Sequence, residues 1–450
     1  MEPFRFHVFV CTQEKPEGAT SCSAGGSLGV LQALQRETGA NNLDAEVQLT
    51  TCGCLGLCDE GPILVVYPEG VWYRKVRPED VPEIVSSHLS RSKLVSRLAW
   101  TDARAMKTTI IEHGEQYRAA LRAREQSGTL PDDLNELIRG FMPSRAVLTA
   151  LELDAFTAVG AGGSAAEVAN RIHADPRATE MLLNVLVSLK LLEKRDGTFL
   201  NTPASARFFV QGSPYNARGA LLHTVHLWHR WSTMTDCVRA GTAVHKRHRD
   251  ESETVAFIAA MDRNARERAE AVVKALGGAD IHRMLDPGGG SGALSIAFAR
   301  AIPGLRVEIM DTAAVVPLTR EYIRHAGLAD RIDVRVGDML HDPLGQNYDL
   351  VLLSAICHMF SPEENRSLFK RTHDALAPKG TLIVQDFILE ANKTAPRFAA
   401  LFSLNMLVGT SSGSSYSEPE YAAWLQDAGF SGTQRVHLPG PAHLMIATRN

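Results

Sequence analysis

Along the C-terminal part of the chain, short apolar runs alternate with stretches of helical periodicity. Met284-Leu285 is followed by the helix-like run Leu294, Ile296, Ala297 and Phe298. Further strands are predicted at 305–310, 332–336, 349–353 and 381–385, with a closing pair near 435–438 and 444–448. The N-terminal part has its own pattern: strands at 7–10, 45–49, 63–67 and 71–75, a helix marked by Leu28, Leu31 and Leu34, and a last helix over 80–89, in βαβ-ββα order. Residues 93–130 are polar and helix-prone, end at Ser127-Gly128, and read as a connector. Beyond them, Ser164 and Glu167 form a capping box that starts a helix at 165. Asp175-Pro176 places an N-cap before a first-turn proline. The next helix is apolar at Leu182, Leu183, Leu186 and Leu189. Asp196-Gly197 then joins two short strands in a hairpin, completing a winged-helix pattern. Winged helices often bind DNA, but the helix before this wing, 181–187, is too apolar to face phosphates, which favours a packing module.

A length of 450 residues suggests about three domains, and 45% hydrophobic with 22% charged residues is an ordinary globular composition. No apolar run is long enough to cross a bilayer, and Met1-Glu2-Pro3-Phe4-Arg5 leads into a strand without a secretory core, so a cytoplasmic address with reduced cysteines is expected. A net charge of −4 argues against nucleic acid as a partner, and the basic run His245–Arg249 reads as a solvated loop. The cysteines do change the picture. Five of seven (Cys11, Cys22, Cys52, Cys54, Cys58) fall in the first 58 residues, and in a reducing compartment such a group more often binds metal than forms disulfides. A zinc site and simple reduced structural cysteines are the alternatives. Cys237 and Cys357 read as small buried hydrophobes.

Leu285-Asp286-Pro287-Gly288-Gly289-Gly290-Ser291-Gly292 is a strand turning into a helix through glycines, which lets backbone N–H groups approach a ligand at the helix's positive end. By itself it suits either S-adenosylmethionine (SAM) or a dinucleotide. Asp311, ending the next strand, is placed for ribose hydroxyls in both cases. Gly337-Asp338-Met339 favours SAM: a carboxylate for the adenine amino group and a thioether for the ring face have no use in a nicotinamide site. His226 and His229 share a helix face, but no third ligand is evident, so pocket lining or dimer packing is preferred to a metal site.

Cys11-x10-Cys22 and Cys54-x3-Cys58, with the surrounding Gly53-Cys54-Leu55-Gly56, Gly61-Pro62 and Tyr67–Tyr73 stretches, resemble the thioredoxin-like [2Fe–2S] ferredoxins over residues 6–89. The resemblance implies Cys11, Cys22, Cys54 and Cys58 as cluster ligands, with Cys52 either a bystander or able to exchange with Cys54. Residues 131–450 resemble the winged-helix small-molecule O-methyltransferases through the glycine loop, Asp311, Asp338-Met339 and the stretch Ile356-Cys357-His358 through Glu363-Glu364. That resemblance implies His358 as general base, Asp386 as the acid orienting it, Asp286, Gly288, Gly290, Asp311, Asp338 and Met339 as the SAM site, and a homodimer. The chain departs from the family at Met359-Phe360, where Asp-Trp is usual, and at Ser354, where plant members carry a SAM-holding lysine. Ser414-Ser415-Tyr416 stands where a second acid usually flanks the histidine.

The expected architecture is therefore multidomain α/β: a thioredoxin-like ferredoxin domain (1–92), a helical connector (93–130), a helical winged-helix dimerisation domain (131–240) and a Rossmann-like class I methyltransferase domain (241–450). The expected activity is methylation of a hydroxyl on an aromatic or polyketide-like small molecule, with SAM and a [2Fe–2S] cluster as cofactors and a redox partner protein for the cluster. Carbon methylation of a large planar substrate, and a redox carrier or sensor with a non-catalytic SAM scaffold, are the alternatives. Neither nucleic acid nor membrane is expected as a partner.

Overall fold

In the strand Phe6–Cys11 (β1), Phe6, Val8 and Val10 face a core while His7 and Phe9 are only half covered, the period of two that half-buried strands require. The computed structural model describes residues 3–15, 20–126, 128, 130–244, 250–276 and 280–450. It divides into two compact units, Met1–Gly140 and Phe141–Asn450. The basic run at 245–249 lies outside the described residues.

The first unit holds a four-stranded sheet in the order β2-β1-β3-β4, with β2 at Val47–Cys52, β3 at Leu64–Tyr67 and β4 at Val71–Tyr73. β1 is parallel to β2 and antiparallel to β3. The helix Ser27–Ala40 buries Val30, Ala33 and Leu34 against this sheet. Leu28, one of the three leucines that mark this helix in the sequence, is 52% exposed, because the covered face runs through 27, 30, 34 and 38 and leaves residue 28 about a quarter-turn away. The helix expected over 80–89 is present as one continuous helical run, which tightens at Pro78–Asp80 and widens to a π-helical turn over Ile84–Leu89.

Residues past 92 do not leave this sheet. Val95 and Leu98 are buried in its core, the Val95 N–H donates to the fully buried Tyr73 hydroxyl, and Trp100 N–H donates to the Trp72 carbonyl. The helix Ala103–Gln126 follows, with Met106 packed beside Cys11 and Cys22.

The second unit opens with helices. Ser164 and Glu167 form their reciprocal capping bonds, and Asp175 caps the helix Pro176–Ser188, which buries Leu183 and Leu186. A hairpin of Leu192–Arg195 (β5) and Thr198–Asn201 (β6) turns at Asp196 and Gly197, both with positive φ, the backbone a two-residue hairpin needs. After the long helix Glu251–Lys274 comes a seven-stranded sheet: β7 Arg283–Pro287, β8 Arg306–Asp311, β9 Ile332–Val336, β10 Tyr348–Ser354, β11 Leu376–Asp386, β12 Phe430–Val436 and β13 His443–Arg449. Its order is β12-β13-β11-β10-β7-β8-β9. β7 to β11 run parallel, and the closing β12–β13 pair is antiparallel. Leu350, Val351, Leu352 and Leu353 are fully buried, as the central strand of a sheet covered on both faces must be. Among the described residues no helix is long and apolar enough to cross a membrane.

Candidate active site and cofactor sites

At the C-terminal end of β7 the chain turns through Gly288 (φ +74°), Gly290 (φ +58°) and Gly292 (φ +76°) into the helix Ala293–Ala301. A side chain at 288 would run into Ile356 and come within 2.9 Å of Met339 Cε, so the position demands glycine on both steric and dihedral grounds. Asp311, at the end of β8, accepts from the N–H groups of Gly290 (2.9 Å) and Thr312 (2.7 Å). Asp286 is completely buried; Ser295 Oγ donates to its Oδ2 at 2.5 Å, and its Oδ1 has no partner among the described residues. Burial pushes the Asp286 carboxyl up to about 7, with the Ser295 hydrogen bond opposing and the nearby Asp311 charge adding to the rise. An orphaned acceptor, a second carboxylate and a glycine cradle in one place fit a ligand bearing hydrogen-bond donors, as SAM does. Met339 reaches this cradle. Asp338 stands at its rim, exposed, paired with His341 Nδ1 at 2.9 Å and accepting the Leu340 N–H.

The Asp286 shift has a consequence for stability. Its folded value lies above the unfolded one, so the stability this carboxyl contributes is present below about pH 4 and is lost as pH climbs through 7. Asp286→Asn is expected to raise the melting temperature of the ligand-free protein more at pH 8 than at pH 5, by at most about 4 kcal/mol in stability. Equal gains at both values would mean that the carboxyl is not strained by burial.

One strand over, β10 ends at Ser354, Ala355 adopts a left-handed backbone (φ +56°), and the turn Cys357–Met359 presents His358. β11 ends beside it in Asp386. The structure brings the two together: His358 Nδ1 lies 2.6 Å from Asp386 Oδ1, and the His358 N–H donates to Asp386 Oδ2 at 3.0 Å. Phe387 N–H and the Tyr421 hydroxyl donate to the same carboxylate at 2.8 and 3.0 Å. Burial alone would raise the Asp386 carboxyl, but the His358 charge and these hydrogen bonds hold it below the usual carboxylate range. Nδ1 is therefore the held nitrogen of the ring, and Nε2 has no hydrogen-bond partner among the described residues. The ring packs edge-on to Phe402 at 4.8 Å and lies 5.9 Å from Phe387. Phe398 stacks beside them and is 47% exposed, so an aromatic wall leads from the histidine outward.

Several members of this site are not evident in the sequence. Tyr421 is fully buried and completes the Asp386 shell from 35 residues away, with no local signal beyond the capping box Ser417/Glu420 of its helix. Tyr416, in the stretch where a second acid would stand, donates instead to the Phe360 carbonyl. Ser354 donates to Gln385 Oε1 at 2.6 Å, leaving Gln385 Nε2 buried without a partner among the described residues. Arg268 carries a buried Nε that likewise lacks a partner there; burial lowers its guanidinium from the ordinary value, while the charges of Glu267 and Asp386 oppose that. His226 Nδ1 lies 3.6 Å from Glu253, and Trp231 donates to Asn405.

In the first unit the candidate ligands form two pairs. Cys54 Sγ and Cys58 Sγ are 3.3 Å apart near the surface, and Cys11 and Cys22 are buried and hydrogen-bonded to each other. That bond pulls the Cys11 thiol down to about 6 and pushes Cys22 well up. Cys52 pairs with Cys11 along the β1–β2 ladder, and its thiol is raised by burial and by the charges of Cys11 and Cys54. All five are free thiols. Among the described residues no three His, Cys, Asp or Glu side chains are gathered tightly enough for a single metal ion. Four thiols in two pairs have the number and softness that an all-cysteine two-iron cluster requires. Gly61 leaves room for the Cys22 thiol: a Cβ there would lie 2.7 Å from Cys22 Sγ.

Comparison with known proteins agrees with this division. Residues 3–88 match the thioredoxin-like [2Fe–2S] ferredoxin family, 135–211 the O-methyltransferase dimerisation domain and 234–431 the O-methyltransferase domain. The chain is 33% identical over 340 residues to 3-hydroxy-5-methyl-1-naphthoate 3-O-methyltransferase of Streptomyces sahachiroi, covering 71% of this chain and 97% of that protein. It is 30% identical over 329 residues to the tetracenomycin polyketide synthesis 8-O-methyl transferase of Streptomyces glaucescens, with the same coverage. The crystal structure of human N-acetylserotonin methyltransferase in complex with SAM superposes with a TM-score of 0.64 at 28% identity, over 70% of this chain and 96% of that one.

Proposed function

The chain belongs to the SAM-dependent O-methyltransferases and carries a thioredoxin-like [2Fe–2S] ferredoxin domain, and from that premise we propose that it methylates a hydroxyl on an aromatic or polyketide-like small molecule. The observation that carries this reading is the His358–Asp386 pair set against the Phe387, Phe398 and Phe402 wall. An aromatic wall stacks a planar acceptor, and the unpartnered Nε2 beside it is where a phenolic proton can go.

SAM, when bound, supplies an electrophilic methyl group. Asp286, Gly288, Gly290, Asp311, Asp338 and Met339 would hold it, and Arg268, whose buried Nε has no partner among the described residues, would meet the SAM carboxylate in place of the plant-type lysine that Ser354 replaces. His358 Nε2 takes the acceptor proton as the oxygen becomes nucleophilic. Asp386 fixes the tautomer through Nδ1 and stabilises the imidazolium that results; it positions the base without touching the acceptor. Phe402 and Phe387 keep water from the ring, and holding the acceptor in line supplies the remainder of the rate.

In this reading 1–92, extended by the Val95–Trp100 stretch that packs on the same sheet, serves as the ferredoxin region, the rest of 93–130 leads on from it, and 131–240 and 241–450 serve as the dimerisation and transfer regions. The helical module pairs with a second copy, the cluster exchanges electrons with a redox partner protein, and a reducing cytoplasm suits the five free thiols. The test is incubation with labelled SAM and a panel of hydroxylated naphthoates, anthraquinones and simple phenols, followed by mass spectrometry and NMR of the product. An O-methyl ether on at least one polycyclic phenol is expected. Methyl groups found only on carbon, or SAM bound with no transfer to any member of the panel, would overturn the proposal.

A further inference from the structure

The helix Ala103–Gln126 lies beyond residue 88, where the ferredoxin match ends, and its sequence reads as a polar connector. In the structure one face of it is turned to the cysteines. Met106, Ile110, His113 and Tyr117 are spaced four, three and four residues apart, which places them within one narrow stripe. Met106 is buried in the same cluster as Cys11, Cys22 and Leu57, with Ile110, Leu55 and Cys52 packed around it. Ile110 sits on Gly56, in the turn between Cys54 and Cys58; a Cβ at Gly56 would be 3.2 Å from Ile110 Cγ2. His113 Nδ1 is 2.9 Å from the Gly56 carbonyl, and its Nε2 is 3.2 Å from Asp59, the residue after Cys58. Lys15 lies over the Tyr117 ring at 5.6 Å. The opposite face, with Lys107, Ile111 and Glu115, is open to solvent.

The geometry points to this helix as a wall of the iron–sulfur site, its Met106–Ile110–His113–Tyr117 stripe clamping the Cys54–Cys58 turn and shielding the cluster from water and small reagents. The inference rests on the assignment of Cys11, Cys22, Cys54 and Cys58 as ligands. Two effects follow. A closed turn must open before a chelator reaches the iron, so the wall slows cluster loss. A drier site also disfavours the extra negative charge of the reduced cluster, so the wall holds the reduction potential down.

The experiment uses the full-length protein made with iron and sulfide, wild type and variants. Cluster absorbance is followed under a ferrous-iron chelator, and the reduction potential is measured by dye titration. His113→Ala and Ile110→Asp are expected to lose the cluster about tenfold faster, and His113→Ala, which brings no new anion to the turn, to show a higher potential. Tyr117→Phe, which keeps the ring, retains the wild-type rate, and Ile111→Asp on the open face changes neither quantity. Unchanged loss rates and potentials in His113→Ala and Ile110→Asp would overturn the wall while leaving the ligand assignment intact. Equal acceleration by Ile111→Asp would also overturn it, since the effect would then be general disturbance of the helix. A wild type that holds no two-iron cluster removes the ligand assignment and the wall with it.

Discussion

His358→Ala is expected to lower turnover by ~10²–10³-fold, toward the lower part of the range for general-base help, while leaving the dissociation constant for SAM within about twofold. The imidazole faces the aromatic wall, not the glycine cradle, so the loss belongs to the transfer step. The variant has good reason to fold. Asp386 loses its imidazole partner but keeps three donors: the backbone N–H groups of residues 358 and 387 and the Tyr421 hydroxyl. The carboxylate is therefore not left unsatisfied in the core, which is the usual source of large losses when a buried ion pair is broken. The stretch around Ser414–Tyr416 offers no second acid, because Tyr416 is committed to the Phe360 carbonyl, so orientation of the base rests on Asp386 alone. Steady-state kinetics with a phenolic acceptor, together with calorimetric titration of SAM, measure both halves. Full turnover in the alanine variant across several phenols would reduce His358 to a pocket wall and leave proximity as the mechanism.

Protein made with iron and sulfide is expected to hold about two irons per chain and to be brown, and serine at Cys11, Cys22, Cys54 or Cys58 should bleach the cluster or shift its spectrum. The two thiol pairs explain why each substitution is costly: an iron with one thiolate left has no neighbouring donor of equal softness, except where Cys52 is near. Cys52→Ser should keep the wild-type spectrum, because the other two pairs already complete the donor set. Metal analysis and visible absorption decide it. Zinc at one equivalent per chain in place of iron, or a cluster that survives serine at Cys54 but not at Cys52, would contradict the ligand assignment.

What the sequence determined was local. The wing was legible because Asp196-Gly197 adopts the positive φ values that a two-residue hairpin needs, and the helix starts at 165 and 176 because Ser164, Glu167 and Asp175 satisfy first-turn N–H groups within three residues of themselves. The glycine loop was legible for the same reason: its backbone conformation excludes other residues. The parallel strands showed as apolar runs because both faces of the sheet are covered.

Tertiary structure decided everything that joins distant positions. Periodicity says which face of an element is buried, but not which side chain from another element meets it. Leu28 marks its helix in the sequence but stays exposed in the fold, since Val30, Ala33 and Leu34 are the apolar positions the sheet covers. His358 and Asp386 are 28 residues apart in sequence, and Tyr421 a further 35 beyond Asp386; only the adjacent ends of β10 and β11, and the helix packed over them, make one buried hydrogen-bonded unit of the three. The stripe of the Ala103–Gln126 helix is an extreme case. Ile110 meets Gly56 from 54 positions away, on a helix polar enough to stand alone in water, and it is the fold of the cysteine turn beneath it that gives four scattered residues a common surface to cover.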